Sequence, residues 1–212
     1  YAKIPFPTHV EFKTGDIQNL NGTIDSESMD LVMSNCVLNL APDKQKVCNE
    51  AYRVLKYGGE FTFSDIITDR RLSPNIRSNP DGYWALLTHC YAGALYKQDL
   101  YDTLKRAGFI DPRVISISPI RFTEEKLAHA RYNGIREELV QTTFYSVTMR
   151  AFKLPELDTQ CENYGQIATY LGNMKHPFEN VHLASYTLDD HHVFDYDPEK
   201  ICRNTATMLS KT

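Results

Sequence analysis

No stretch of this sequence approaches the roughly 18 uninterrupted apolar residues of a membrane-spanning helix. The amino terminus, YAKIPFPTHVEF, has neither a basic leading segment nor an apolar one. Nothing therefore directs the chain to a membrane or out of the cell, and the cytoplasm is the expected location. No basic stripe with interleaved aromatics occurs, which argues against a nucleic-acid partner. The five cysteines, Cys36, Cys48, Cys90, Cys161 and Cys202, are odd in number, widely spaced and free of any CxxC pair. That spacing argues against a disulfide framework and a zinc knuckle, and makes free thiols in a reducing cytoplasm the default reading. Also missing is any G-x-G-x-x-G turn, the usual opening of a doubly wound nucleotide-binding domain. Either the fold lacks that site or the chain begins after it.

What is present suffices for a sizeable core: 212 residues, 42% of them hydrophobic and 24% charged. The net charge of -4 is unevenly placed, with 19 Lys+Arg against 18 Asp+Glu in residues 1–154 and 4 against 9 in residues 155–212. The acidity sits in the tail. Three runs read as strands, VEFKTGDI (10–17), MDLVMSN (29–35) and GEFTFSDII (59–67), the latter two nearly continuous in apolar or small residues, as buried parallel strands are. Between them DKQKVCNEAYRVLKYGG places Val47, Ala51, Val54 and Leu55 on one helical face. Asp43 is positioned to cap the start, and Gly58 with Gly59 to stop the helix. Strand, helix and strand in this order predict a right-handed βαβ unit.

The pattern repeats. KQDLYDTLKRAGF (97–109) predicts a helix closed at Gly108, and DPRVISISPI (111–120) a strand entered by an early proline. TTFYSVTMRAFKL (142–154) alternates β-branched and aromatic residues and predicts an antiparallel strand at the sheet edge. Together these predict an α/β layer domain over 1–154 with a mostly parallel sheet. After Lys153 the texture turns polar, and 155–212 is read as a small accessory region whose fold the pattern does not specify.

The stretch SNCVLNL (34–40) puts Cys36 where a strand meets a loop, and Asn39 interrupts the apolar run that follows. A buried cysteine ordinarily acts as a small apolar side chain. Packing, a structural thiol and a reactive site all remain open for Cys36 on the residues alone. Cys48 follows the core-facing Val47 and reads as packing or solvent edge; Cys161 and Cys202 lie in the polar tail. Asp65, after FTFS, suits either a strand-end approach to a ligand or a cap on the next segment. Tyr83, Leu87 and Tyr91 follow i, i+4, i+8, the spacing of a core stripe, although with Trp84 they could also form an aromatic lid. The run Asp189 to His192 reads as a polar turn, since no third group stands at metal-ligand spacing.

The segments GDIQNL, MDLVMSNCVLNLAPDKQKVCNEAYRVLKYGGEFTFSDI, THCYAGALY and FYSVTMRAFKL resemble the arsenite S-adenosylmethionine-dependent methyltransferases, within the class I methyltransferase superfamily. EAYRVLKYGGEF alone would suit any member of that superfamily. A cysteine after Asn35 and a second before GALY mark the arsenic branch. The resemblance implies a partial Rossmann-like class I methyltransferase sheet, with the Gly-rich cofactor loop and the acidic ribose ligand upstream of Tyr1. The 212 residues then read as an amino-terminally truncated portion with little or no binding of S-adenosyl-L-methionine on its own. It implies an adenine-side contact at Gly15, Asp16, Ile17 and Gln18, where relatives commonly carry an acid at the last position, and further cofactor contacts at Asn35 and Val37. Cys36 and Cys90 become the arsenic ligands.

That assignment agrees with the chemistry. Trivalent arsenic is soft and prefers polarisable thiolates, and thiols must give up their protons to bind it. Cys36 lies at the carboxyl end of a strand, where open α/β sheets take ligands. Methyl transfer would then need only an arsenic lone pair held in line with a sulfonium methyl. The resemblance further implies a trivalent arsenical as substrate, a thiol reductant such as glutathione or thioredoxin as partner, and a role in arsenic detoxification. In THCYAGAL, His89 stands where the family carries an acid and Tyr91 adds bulk, which allows for a methylated or organic arsenical. Two other readings stand beside this one: a methyltransferase for another small acceptor, and a non-catalytic As(III)-binding protein.

Overall fold

The computed structural model describes residues 10–159 and 203–211, apart from 79–81, 83–85, 87–89, 124, 126, 130 and 131. Its frame is one sheet. Strand β1 (Met29–Asn35) pairs in parallel with the long β2 (Leu55–Thr68). On the other side of β2 lies β5 (Phe144–Phe152), antiparallel, and beyond it β4 (Arg113–Ile120), antiparallel to β5. The short β3 (Leu95–Tyr96) adds to the carboxyl end of β2 in parallel. The strands thus run mostly parallel with one antiparallel member, as the alternation in 142–154 predicts. The antiparallel pairing falls at that end of the sheet, and β4 is the outermost strand. An outer position suits β4, because its Pro119 cannot donate to a further neighbour.

Helix α1 (Lys44–Val54) joins β1 to β2 and begins as its sequence predicts, with the Asp43 carboxylate accepting the Lys46 backbone N–H at 3.1 Å. It stops earlier than the glycine pair suggests: Leu55 is already extended and opens β2. Gly58, at φ +79, instead serves an irregularity inside β2, where the register against β1 jumps from Leu55 to Glu60. Helix α3 (Lys97–Ala107) does end at Gly108, in the left-handed region. Two short helices, α2 (Pro74–Ser78) and α4 (Arg136–Gln141), complete the body.

The core lies between the sheet and helices α1 and α3. Val47, Cys48, Ala51 and Leu55 meet Phe61, Phe63, Leu100, Leu104, Phe109, Val147 and Met149. Phe61 stacks on Phe63 at 4.8 Å between ring centres, and Tyr52 meets Phe109 edge-on. Cys48 is fully buried here, which settles its role as packing, and burial pushes its thiol up to about 12.

Two further expectations fail. The strand over 10–17 does not form: 10–15 carry no regular structure, and a tight turn closed by a bridge between Asp16 and Asn19 follows. A strand exists only beside a pairing partner, and among the described residues none lies along this segment. Strand β1 does form, but it is not buried, with Met33 73% and Leu31 47% exposed. Among the described residues only β2 flanks it, so the apolar run produces a strand without a cover.

The tail returns to the domain. Helix α5 (Arg203–Lys211) sets Met208 against Phe152, Leu154 and Leu157. Arg113, 2% exposed, joins Asp111 at 2.7 Å and donates to the Thr205 hydroxyl at 2.6 Å. Asn204 donates to Asp111 and to the Asp158 carbonyl. Cys161, Cys202 and the 189–192 run lie outside the described residues. Among the described residues, no helix is long and apolar enough to cross a membrane.

Candidate functional site at the carboxyl end of β1

Strand β1 delivers Asn35, paired with Ser64, and then turns sharply at Cys36. The Cys36 amide still donates to the Ser64 carbonyl at 2.8 Å, but its φ of +54 takes the chain out of the sheet. Cys90 adopts the same unusual conformation, at φ +64. Left-handed backbone is uncommon for a residue bearing a Cβ, costs on the order of 1 kcal/mol or more, and collects at functional sites. The sharp turn lifts Cys36 from the strand into an exposed loop, whereas Cys90 is 5% exposed.

Between these two loops sits Asn39, buried at 4% exposure in the short 3-10 turn Leu38–Leu40. Its side-chain amide donates to the Ile66 carbonyl at 2.6 Å and to the Cys90 carbonyl at 3.1 Å. Its backbone N–H donates to Asp65 Oδ2 at 3.0 Å. Gly93 lies directly against it, since a Cβ there would stand 1.9 Å from the Asn39 carbonyl oxygen. One asparagine thus ties together the segments that carry Cys36, Asp65 and Cys90. A buried amide needs such partners, so the break in the apolar run of SNCVLNL was the available signal. Gly93 left none.

Fold closure brings two distant thiols together. The Cys36 and Cys90 sulfurs and an Asp65 carboxylate oxygen all lie within 4.8 Å of one another. The Cys90 thiol donates to the Cys36 carbonyl at 3.1 Å. Burial, then the nearby Asp65 and Cys36, push the Cys90 thiol up to about 11. Asp65, 3% exposed, is itself raised by burial, against the backbone N–H groups of Ile66, Asn39 and Leu38 and the charge of Lys44. Both readings of Asp65 thus have support in its position: it approaches the thiols, and its Oδ1 accepts the Ile66 N–H at 2.8 Å.

Tyr91 packs edge-on against Phe122 and Phe144 at 4.9 and 5.2 Å, the core role its stripe suggests. Tyr83, Trp84, Leu87 and His89 lie outside the described residues. Of the expected cofactor contacts, Gly15, Asp16, Ile17, Asn35 and Val37 are exposed. Gln18 is spent within the protein, accepting the Asp43 N–H at 2.9 Å and donating to Asp16 at 3.3 Å. It fastens the 16–19 turn to the start of α1.

The profile of a methyltransferase domain family matches residues 2–108. The chain belongs to that family. Among curated proteins it is 39% identical to the arsenite methyltransferase of Aquipseudomonas alcaligenes, over 96% of this chain and 55% of that protein. It is 37% identical to the rat arsenite methyltransferase, over 96% and 52%. The crystal structure of an arsenic(III) S-adenosylmethionine methyltransferase from Chlamydomonas reinhardtii superposes with a TM-score of 0.72 at 40% identity, covering 93% of this chain and 61% of that one. The chain therefore spans about half the length of the curated relatives it matches, and it shares the α/β methyltransferase sheet with the solved one.

Proposed function

We propose that this domain serves an arsenite methyltransferase, with Cys36 and Cys90 holding the trivalent arsenical that accepts the methyl group. The observation that carries the reading is the pair of thiols, 54 residues apart in sequence, assembled within 4.8 Å at the carboxyl end of a parallel strand. The resemblance to arsenite methyltransferases along almost the whole chain supports it.

Arsenous acid reacts with two thiols to form two As–S bonds. Each thiol proton leaves with a displaced hydroxide as water, so the neutral thiols favoured by the burial of Cys90 are suited to the reaction. Bound this way, arsenic keeps one hydroxyl and its lone pair. The second As–S bond is intramolecular, and two thiols set in place before binding avoid an ordering cost that free thiols would incur. The entropy is lost when Asn39 and Gly93 fix the two loops during folding.

The fit to a cofactor rests on the exposure of Asn35 and Val37 at the end of β1 and of Asp16 in the turn fastened to the start of α1. These residues would hold the adenosyl part of S-adenosylmethionine, which supplies an electrophilic methyl on its sulfonium. Gln18 contributes by fixing the turn that presents Asp16. Methylation leaves arsenic pentavalent, so a thiol reductant such as glutathione or thioredoxin completes the cycle.

The experiment is a titration of As(III) against the unsubstituted chain and its Cys36→Ser and Cys90→Ser variants. Each substitution should weaken binding by about 100-fold, since one lost thiol removes the chelate advantage. Unchanged affinity in both variants would refute the assignment.

A further inference from the structure

The third donor in this cluster has no part in the arsenic chemistry above. We propose that Cys36, Asp65 and Cys90 also form a binding site for a thiophilic divalent cation of the zinc and cadmium class, and that this cation competes with arsenic for the thiols. The inference rests on Cys36 and Cys90 being the arsenic pair.

Geometry supports the donor set. Two sulfurs on one tetrahedral zinc, each about 2.3 Å from it, stand about 3.8 Å apart. A cluster whose members all lie within 4.8 Å of one another reaches that arrangement by adjustments of about 1 Å, and the exposed Cys36 side chain is free to make them. Asp65 is already oriented. Its Oδ1 accepts from Ile66 at 2.8 Å and its Oδ2 from Asn39 at 3.0 Å. With the Leu38 N–H, three backbone donors face the four lone pairs of the carboxylate and leave one for a metal, the usual outer support of a ligating carboxylate. Two sulfurs exclude magnesium and calcium, which require oxygen ligands. Three protein donors leave a fourth tetrahedral position for water.

Charge separates the two ligands. A divalent cation displaces two thiol protons into solvent and binds two thiolates and the Asp65 carboxylate, leaving one net negative charge on the cluster. Arsenous acid forms a neutral adduct from the two thiols alone and gains nothing from the carboxylate. Asp65 therefore discriminates between them.

The test titrates Cd2+ into the 212-residue chain in thiol-free buffer, following sulfur-to-cadmium charge-transfer absorption. The Cys36→Ser/Cys90→Ser double variant supplies the background from the remaining cysteines. One Cd2+ should bind above that background and be displaced by As(III). Asp65→Asn should lower the ratio of Cd2+ to As(III) affinity by about tenfold or more, and taking the ratio cancels any shared loss of thiol placement. Cadmium-edge X-ray absorption on the unsubstituted chain should count two sulfurs with oxygen completing the shell. An unchanged ratio, or a shell with any other sulfur count, overturns the proposal. Uptake of As(III) without Cd2+ overturns the cation site alone, and uptake of neither overturns the arsenic reading with it.

Discussion

Replacing Gly93 with alanine tests whether the thiol pair is held by backbone packing as described. The added Cβ would stand 1.9 Å from the Asn39 carbonyl oxygen and 2.8 Å from its carbon, both backbone atoms that cannot rotate away. Reaching an ordinary contact of 3.4 Å requires the 90–94 loop to withdraw by about 1.5 Å, an overpacking that costs about 1–3 kcal/mol. The same displacement stretches the 3.1 Å bond from Asn39 to the Cys90 carbonyl and carries the Cys90 sulfur away from Cys36. For a chain of this size the melting temperature should fall by about 2–4 °C per kcal/mol. A misplacement of about 1 Å typically costs about 100-fold in a two-point attachment, so As(III) affinity should fall by about that factor. The assay is equilibrium dialysis well below the variant's melting temperature, with bound arsenic measured by mass spectrometry. A dialkylated As(III) compound, which forms a single As–S bond, serves as the control and should bind the variant as it binds the parent. As(III) affinity within threefold of the parent, or an equal loss for both arsenicals, would refute the mechanism.

Three further outcomes follow from the same geometry. With its thiol pushed up to about 11, Cys90 keeps on the order of 0.1% thiolate at pH 8. Iodoacetamide followed by peptide mass spectrometry should therefore modify the exposed Cys36 first, and Cys90 about tenfold faster per pH unit up to its pKa. Cys48 should react only on unfolding. Cys36→Asn places a residue better suited to the left-handed backbone at φ +54, so it should raise stability by about 0.5–1 kcal/mol while weakening As(III) binding; a lower melting temperature would contradict the strain argument. Asp111→Ala removes the carboxylate that the buried Arg113 guanidinium meets at 2.7 Å and should cost about 3 kcal/mol. Limited proteolysis should then cut near α5 before it cuts the sheet, and simultaneous cleavage of both would show that Arg113 does not govern the attachment of that helix.

Local pattern carried most of the secondary structure. The spacing of Val47, Ala51 and Val54, with Asp43 ahead of them, is sufficient for α1, because a helix closes its hydrogen bonds within itself. Gly108 ends α3 for an equally local reason. The pattern failed where partners decide. Residues 10–17 alternate well enough for a strand but find no neighbour among the described residues, and Gly58 bends a strand instead of ending a helix. At the site, Cys36 and Cys90 were legible only through their motif contexts, and the role of Asp65 was left open between two readings. Asn39 showed as an unexplained polar residue in an apolar run, and Gly93 not at all.

The sequence by itself determined that this chain forms an α/β layer with thiols suited to a soft ligand, because periodicity and sulfur chemistry are properties of residues and their near neighbours. Tertiary structure decided that Cys36 and Cys90 meet beside Asp65, that both take a strained backbone, and that one buried asparagine fastens their segments. Donors 54 residues apart meet only when the intervening βαβ unit has closed and its loops are packed against each other. No local pattern records that distance.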